Sequence, residues 1–327
     1  MTHRTDHGPI TLPGRRVLIT GSSGFVGSHI AARFVREGAE VAGLSRTLGR
    51  LAGLAQTGTC AFLACDLENA EQCRTVVRAF APEVVVHFAS RPDAAESVEH
   101  ARASVGANVS ATVNLLEACT PTVRAFVYGD SCKVHGTAEP PYTERTPLEP
   151  NSSYAATKAA GWWMCRAFAE VGNFAAVSLR PTLIYGPGQG MNLIEYVARR
   201  ALSGADEIVL DGGTQTRDPL YIDDAIDACV KLVSRAPDIA GHAIPVGGGS
   251  EISVGDLSMR VVAACASHAK VRACPERARA TEIWRSWCDN SDAARLIGWH
   301  PTVSLNEGLS RTVASIRARL GSDSVNG

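Results

Sequence analysis

Residues 15–29 read RRVLITGSSGFVGSH, and this stretch decides the fold. Arg15–Thr20 is a short apolar run of the kind that forms a buried strand, and it passes directly into glycines at 21, 24 and 27. An amphipathic helix is predicted over 25–37, with Phe25, Ile30 and Phe34 spaced for one face. Glycines at these places let the backbone turn tightly and come close to a pyrophosphate. The start of the helix then offers free N–H groups and a partial positive charge. Gly21, Ser23, Gly24, Phe25, Val26 and Gly27 are therefore the expected phosphate-binding loop of a dinucleotide site.

Working outward, the same alternation repeats. Strands are expected at 39–45, 60–66, 83–90, 124–131 and 174–181, with helices at about 69–80, 98–119 and 152–171 between them. Apolar β runs separated by helices predict an α/β fold with a Rossmann-type, doubly wound parallel sheet. After Pro181 the pattern loosens into turn-rich segments, with helices near 192–203, 223–235, 253–267 and 305–319. The expected organisation is a loose leader over 1–14 and a dinucleotide-binding domain over 15–181, to which residues 220–245 return. A smaller substrate-binding α/β domain takes 182–219 and 246–320.

Composition excludes several function classes. The 327 residues carry 32 basic and 33 acidic side chains, for a formal net charge of −1, so no basic excess points to nucleic acid or a membrane surface. No apolar stretch approaches the ~18 residues of a membrane span, and the first fourteen residues lack a signal-peptide core. Ten cysteines occur without a C-x-x-C pair, which reads as reduced thiols in a cytoplasmic enzyme, and no metal site is expected.

Cofactor choice should be set at the end of the second strand. There Leu44-Ser45-Arg46 stands where an NAD enzyme places an acid. Nothing at that point repels a 2′-phosphate and Arg46 can pair with one, which favours NADP over NAD. Asp66 is placed either to accept from the adenine amino group or to cap the following helix. Leu67, Phe88, Ala89, Ser90 and Pro181, at or just beyond the ends of other strands, complete the expected cofactor contacts.

Tyr154 and Lys158 form Y-A-A-T-K, four residues apart and so on one face of the 152–171 helix. Lys158 can hold the nicotinamide ribose and lower the phenol pKa, so that Tyr154 takes a proton from a sugar hydroxyl as hydride leaves the same carbon. Ser131, 23 residues upstream at a strand tip, supplies a hydroxyl to orient that oxygen.

These motifs carry a resemblance. TGSSGFVGSH, HFASRPDAAES, NVSATVNLLEA, SCKVHG, YAATK, LRPTLIYGPGQ, RDPLYIDD and DNSDAARLIGWHP stand in the order found in extended short-chain dehydrogenase/reductases of the nucleotide-sugar epimerase/dehydratase group. HFASRPDAAES is similar to the segment beside the nicotinamide in UDP-galactose 4-epimerases. The resemblance implies a Ser131/Tyr154/Lys158 triad, Asn108 buttressing the site, and Arg217 reaching the phosphates or ribose of a nucleoside-diphosphate sugar. Arg91, Ser97 and Cys132 join the expected substrate contacts. Asp223 and Asp224 read as caps of the helix they begin.

Three departures stand out. The asparagine that the family places before its V-Y-G turn is Leu183 here, and the turn after Ser131 reads V134-H135-G136. The acidic pair of the resembling 4,6-dehydratases is Cys132-Lys133, where a thiol near a lysine could exchange protons. The leading expectation is an epimerase or isomerase acting at C4 of a nucleoside-diphosphate hexose. An NADPH-dependent 4-ketoreductase, a Cys132-assisted dehydratase and a reductase of a non-sugar carbonyl stand behind it. On the catalytic helix Ala156, Ala160, Trp163 and Ala167 turn away from Tyr154, which predicts a homodimer through helices 98–119 and 152–171.

Overall fold

The computed structural model describes residues 8–92, 97–119, 122–190 and 192–323. Its centre is a sheet built first from β1 (Arg16–Thr20), β2 (Glu40–Ser45), β3 (Cys60–Ala64), β4 (Val84–His87), β5 (Ala125–Gly129) and β6 (Ala175–Pro181). The later strands are β7 (Leu183–Tyr185), β8 (Glu207–Asp211), β9 (Thr216–Arg217), β10 (Pro219–Tyr221), β11 (Ala243–Val246), β12 (Ile252–Ser253) and β13 (Lys270–Cys274). Seven strands form the main sheet in the order β11-β6-β5-β4-β1-β2-β3, all parallel. This is the expected doubly wound arrangement, extended by β11.

Both faces of the sheet are covered, which is why its strands read as near-continuous apolar runs. In β1, Val17 and Ile19 join one buried cluster with Ile30 and Phe34. Leu18 joins the other cluster with Val85 and Phe126. The helices of the first half are α1 (Phe25–Arg36), α2 (Ala52–Gln56), α3 (Ala70–Phe80), α4 (Val98–Val105), α5 (Ala111–Ala118) and α6 (Ser153–Gly172). Those of the second half are α7 (Leu193–Leu202), α8 (Ile222–Arg235), α9 (Val254–Ala264), α10 (Ser291–Ile297) and α11 (Leu305–Asp323).

The helix expected over 98–119 is interrupted. Between α4 and α5 the residues Gly106–Ser110 form a single π turn, a feature that periodicity does not reveal. Asn108, within that turn, is buried. Nor are Asp223 and Asp224 caps. Tyr221 is the N-cap of α8 and makes no side-chain cap bond. Asp224 instead accepts from the backbone N–H groups of Thr302 and Val303 and from the Thr302 hydroxyl, fastening a distant turn onto α8. Asp223 pairs with Arg311. Among the described residues no helix is long and apolar enough to cross a membrane.

Candidate active site

Strand order reverses between β1 and β4, and the cleft lies over the C-terminal ends of the strands there, as doubly wound sheets require. It encloses about 1650 Å³, more than the ~300–1,000 Å³ typical of a single-ligand pocket, so a dinucleotide and a second ligand have room together.

At one end the glycine loop forms a backbone cradle. Gly21 has φ +68°, and a Cβ there would lie 2.7 Å from the Ala89 nitrogen. A Cβ on Gly27 would lie 2.3 Å from the Gly21 carbonyl oxygen. Neither position tolerates a side chain. No side chain caps the N-terminus of α1, so its first N–H groups are left for a ligand. This cradle fits a dinucleotide pyrophosphate. Ser23, Gly24, Phe25 and Val26 also line the cleft, as do Ser45, Arg46, Asp66, Leu67, Phe88, Ala89, Ser90 and Pro181. Arg46 is exposed, with no ion-pair partner among the described residues. Asp66 does not cap α3. Its carboxylate accepts from Glu68 N, and Asn69 makes the cap by accepting from Gln72 N.

In the middle of the cleft stand Ser131 and Tyr154. Ser131 follows β5 and accepts from Lys133 N at 3.2 Å, which starts the turn Cys132–His135. Tyr154 is in the first turn of α6, whose N-cap Ser152 accepts from Ala155 N. As a whole residue Tyr154 is half-buried, but its phenol tip is sunk in protein. Burial first and the Asp130 charge second push its pKa above the ordinary value, and a hydrogen bond with Ser131 opposes them. The expected lowering by Lys158 is not seen: the only opposing influence on the phenol comes from Ser131. Lys158 is buried beneath the cleft floor, its amino group 4.1 Å from the Tyr128 ring centroid, and burial brings its own pKa down to about 8 against the pull of Asp130.

Asn108 also lies behind the cleft. It accepts from Arg91 N at 2.8 Å and donates to Arg91 O and to the Thr157 hydroxyl, which donates in turn to Tyr154 O. The π turn thus ties the segment after β4 to the helix that carries Tyr154. A second buried chain lies next to it. Ala89 N donates to Thr20 Oγ1 and Thr112 Oγ1 donates to Asn108 O. His87 sits between the two hydroxyls, at 2.7 Å and 2.9 Å. Those roles leave Nε2 to carry the proton. Burial and the nearby Lys158 hold the ring neutral, with a pKa down at about 3.

The strongest polar contact near the centre was not foreseen. Asp130, next to Ser131, accepts from Arg180 Nε at 2.7 Å, from the Ser178 hydroxyl at 3.2 Å and from Ser131 N at 2.9 Å. Both charged side chains are almost fully buried. The pairing arises because β5 and β6 are neighbours with Gly129 opposite Leu179, a register that no local motif announces.

Cys132 is 2% exposed. Its thiol donates to Arg180 O at 2.9 Å and lies 3.2 Å from the Cys288 sulfur, in a small cluster with Tyr142. Lys133 projects over Tyr154, its ammonium 5.6 Å from the ring centroid. Arg217 lines the far wall but is already engaged, donating to Thr216 O, Ile283 O and Glu282. Arg91 and Leu183 line the cleft too. Ser97 does not join them: it is exposed and caps α4 by accepting from His100 N. Residues 93–96 of the HFASRPDAAES segment lie outside the described residues. The same wall brings in Thr182, Asn192 and Arg279, which sequence reasoning passed over. Thr182 neighbours the departure at Leu183, and Asn192 reads as an ordinary helix cap.

Fold and cleft together define a dinucleotide-dependent enzyme with a tyrosine at its centre. Residues 17–247 match the NAD dependent epimerase/dehydratase family. The chain is 30% identical to the UDP-glucose 4-epimerase of Mycolicibacterium smegmatis over 92% of its length and 98% of that protein's. It is 27% identical to a dTDP-glucose 4,6-dehydratase of Xanthomonas campestris, covering 90% of this chain and 91% of that one. A UDP-glucuronic acid 4-epimerase from Bacillus cereus, solved with UDP-glucuronic acid and NAD, superposes with a TM-score of 0.85 at 26% identity, covering 93% and 99% of the two chains. The chain belongs to the NAD-dependent epimerase/dehydratase family.

Proposed function

We propose that this chain is a nucleotide-sugar 4-epimerase that retains its nicotinamide dinucleotide through turnover. The observation that carries the reading is that Ser131 and Tyr154 face the same cleft as the glycine cradle, with the Ser131 hydroxyl close enough to favour the phenolate. The relatives named above as 4-epimerases support it. The dehydratase reading is weaker, because the acidic pair is missing and the Cys132 thiol is committed to Arg180 O.

Ser131 would hold the C4 hydroxyl and Tyr154 would accept its proton as the C4 hydrogen departs as hydride, leaving a 4-keto sugar. After the sugar has turned over, return of that hydride to the opposite face of C4, with the proton from Tyr154 going back to the oxygen, would give the epimer. When bound, the oxidised nicotinamide supplies the hydride acceptor and a positive charge in the same cleft, which favours the phenolate. Lys158 supplies a second cation from below, and Asn108 fixes Tyr154 through Thr157. Arg279, with no ion-pair partner among the described residues, faces the diphosphate together with Arg217.

Two finer readings belong to the proposal. Arg46, with no acid at Ser45–Thr47, suits the 2′-phosphate of NADP, although the named structural relative holds NAD. Ala156 and Ala167 are exposed, Ala160 is half-buried and Trp163 is 52% exposed, with Arg166 stacked on its ring. Together with Val98 and Val105 of α4, this face suits a homodimer.

The test is mass spectrometry of the nucleotide released on denaturing the dialysed protein, together with NMR of UDP-hexoses incubated with it. Near-stoichiometric dinucleotide and interconversion of C4 epimers are expected, and the mass decides between NAD and NADP. A protein free of dinucleotide that turns over only with added NADPH overturns the epimerase in favour of the ketoreductase.

A further inference from the structure

Lys133 is a cation lining the cleft beside Tyr154, and the nearest opposing charge, Glu282, is ion-paired with Arg217. It follows Ser131 by two residues and its backbone N–H donates to the Ser131 hydroxyl oxygen, so its position is tied to that of the catalytic hydroxyl. Its ammonium lies 5.6 Å from the centroid of the Tyr154 ring. No carboxylate among the described residues makes an ion pair with it, whereas Asp130 is spent on Arg180, Glu282 on Arg217 and Asp211 on Arg277. The side chain as a whole is exposed, but the ammonium tip is crowded by the cleft wall and repelled by Arg217 and Arg279, which lowers its pKa. The Thr182 hydroxyl, which also lines the cleft, is buried with no hydrogen-bond partner. A cation that lines the cleft with no ion pair of its own calls for an anion in the ligand, and the unpartnered Thr182 hydroxyl offers a further polar contact. For the diphosphate the far wall offers Arg279, beside an Arg217 that is already paired with Glu282.

We infer that Lys133 determines sugar specificity by pairing with a carboxylate carried next to the reacting carbon, so that the preferred substrate is a nucleoside-diphosphate sugar acid rather than a neutral hexose. This rests on the 4-epimerase reading. The phenol of Tyr154 must touch the C4 oxygen, and a lysine over that ring reaches the substituents flanking C4. Arg at this position keeps the charge; Gln keeps hydrogen bonding but loses the charge.

The test uses the dinucleotide-loaded protein with Tyr154→Phe to halt turnover, and titrates UDP-glucuronate, UDP-glucose and UDP by calorimetry. UDP-glucuronate is expected to bind about 10- to 100-fold tighter than UDP-glucose, the range set by one charge-assisted contact. Adding Lys133→Gln should erase that difference while leaving UDP-glucose and UDP within about threefold, and Lys133→Arg should restore most of it. Equal affinity for the two sugars overturns the inference alone. So does an equal loss of UDP and both sugars on Lys133→Gln, which assigns the lysine to the diphosphate. Failure of any UDP species to bind overturns the 4-epimerase reading and this inference with it.

Discussion

At the glycine-loop end of the cleft the backbone does the recognising, whereas the rest is assembled from side chains on the turn after β5, on 182–217 and on the irregular segment 275–287. The first end needs only Gly21, Gly27 and an uncapped helix start, held where β1 and β4 meet. The second depends on Lys133, Thr182, Arg217 and Arg279, brought together from stretches far apart in the chain. Between them lies a floor of buried charge, Asp130–Arg180 and Lys158, which belongs to neither. The contrast teaches that cofactor binding here follows from local geometry, while substrate choice follows from tertiary assembly and is free to drift.

Removing the proton acceptor should separate the two ends most sharply. Tyr154→Phe is expected to lower kcat for 4-epimerisation by about 10³–10⁴-fold while the dinucleotide recovered per chain stays unchanged. A parallel loss of dinucleotide breaks the separation. Next comes the floor. Asp130→Asn strands a buried guanidinium and should cost about 3–5 kcal/mol in urea unfolding, against no more than about 1 kcal/mol for Arg217→Gln on the partly exposed wall. Because the Asp130 charge raises the Tyr154 pKa, the surviving activity should also begin its rise with pH at a lower pH.

Lys158→Met is expected to abolish turnover and to stabilise the fold. The folded pKa of about 8 lies below the unfolded value of about 10.4, so the folded chain holds fewer protons between those limits and stability rises with pH there. At pH 7 the penalty is present in full, and its removal should raise the unfolding free energy by on the order of 1–3 kcal/mol, fading above pH 8. A variant no more stable than the parent at pH 7 contradicts this. The smallest effect is expected on the wall. Arg279→Ala should raise KM for the nucleotide sugar about 10-fold with kcat nearly constant, since a contact made equally to substrate and transition state changes binding alone.

The legibility of the sequence follows the same division. The glycine loop, the strand ends and the Ser131–Tyr154–Lys158 spacing were readable because each is a local pattern with a local cause. The strand register that sets Asp130 against Arg180 was not, because nothing in either segment names its partner. Likewise the π turn at Gly106–Ser110 has no periodic signature, yet it turns Asn108 inward. Ser97 was misplaced because a helix-capping serine and a ligand-binding serine look alike in one dimension. Asp224 was read as a cap for the same reason, when its partners Thr302 and Val303 lie nearly eighty positions downstream.

The path of the chain has one more consequence. The polypeptide leaves the main sheet after β6, returns to it through α8 and β11, and then departs again towards β12. The wall is therefore laced through the floor and not appended to it. Protease cleavage between 186 and 219 would leave two pieces that still share one hydrogen-bonded sheet through β6 and β11. By the same threading, a single crossover after Pro181 would exchange most of the wall and leave Asp130, Lys158 and Arg180 in place, but it would carry α8 and the sheet strand β11 with it. Replacing individual side chains, such as those at Cys132, Lys133 and Leu183, alters the cleft without disturbing that strand pairing.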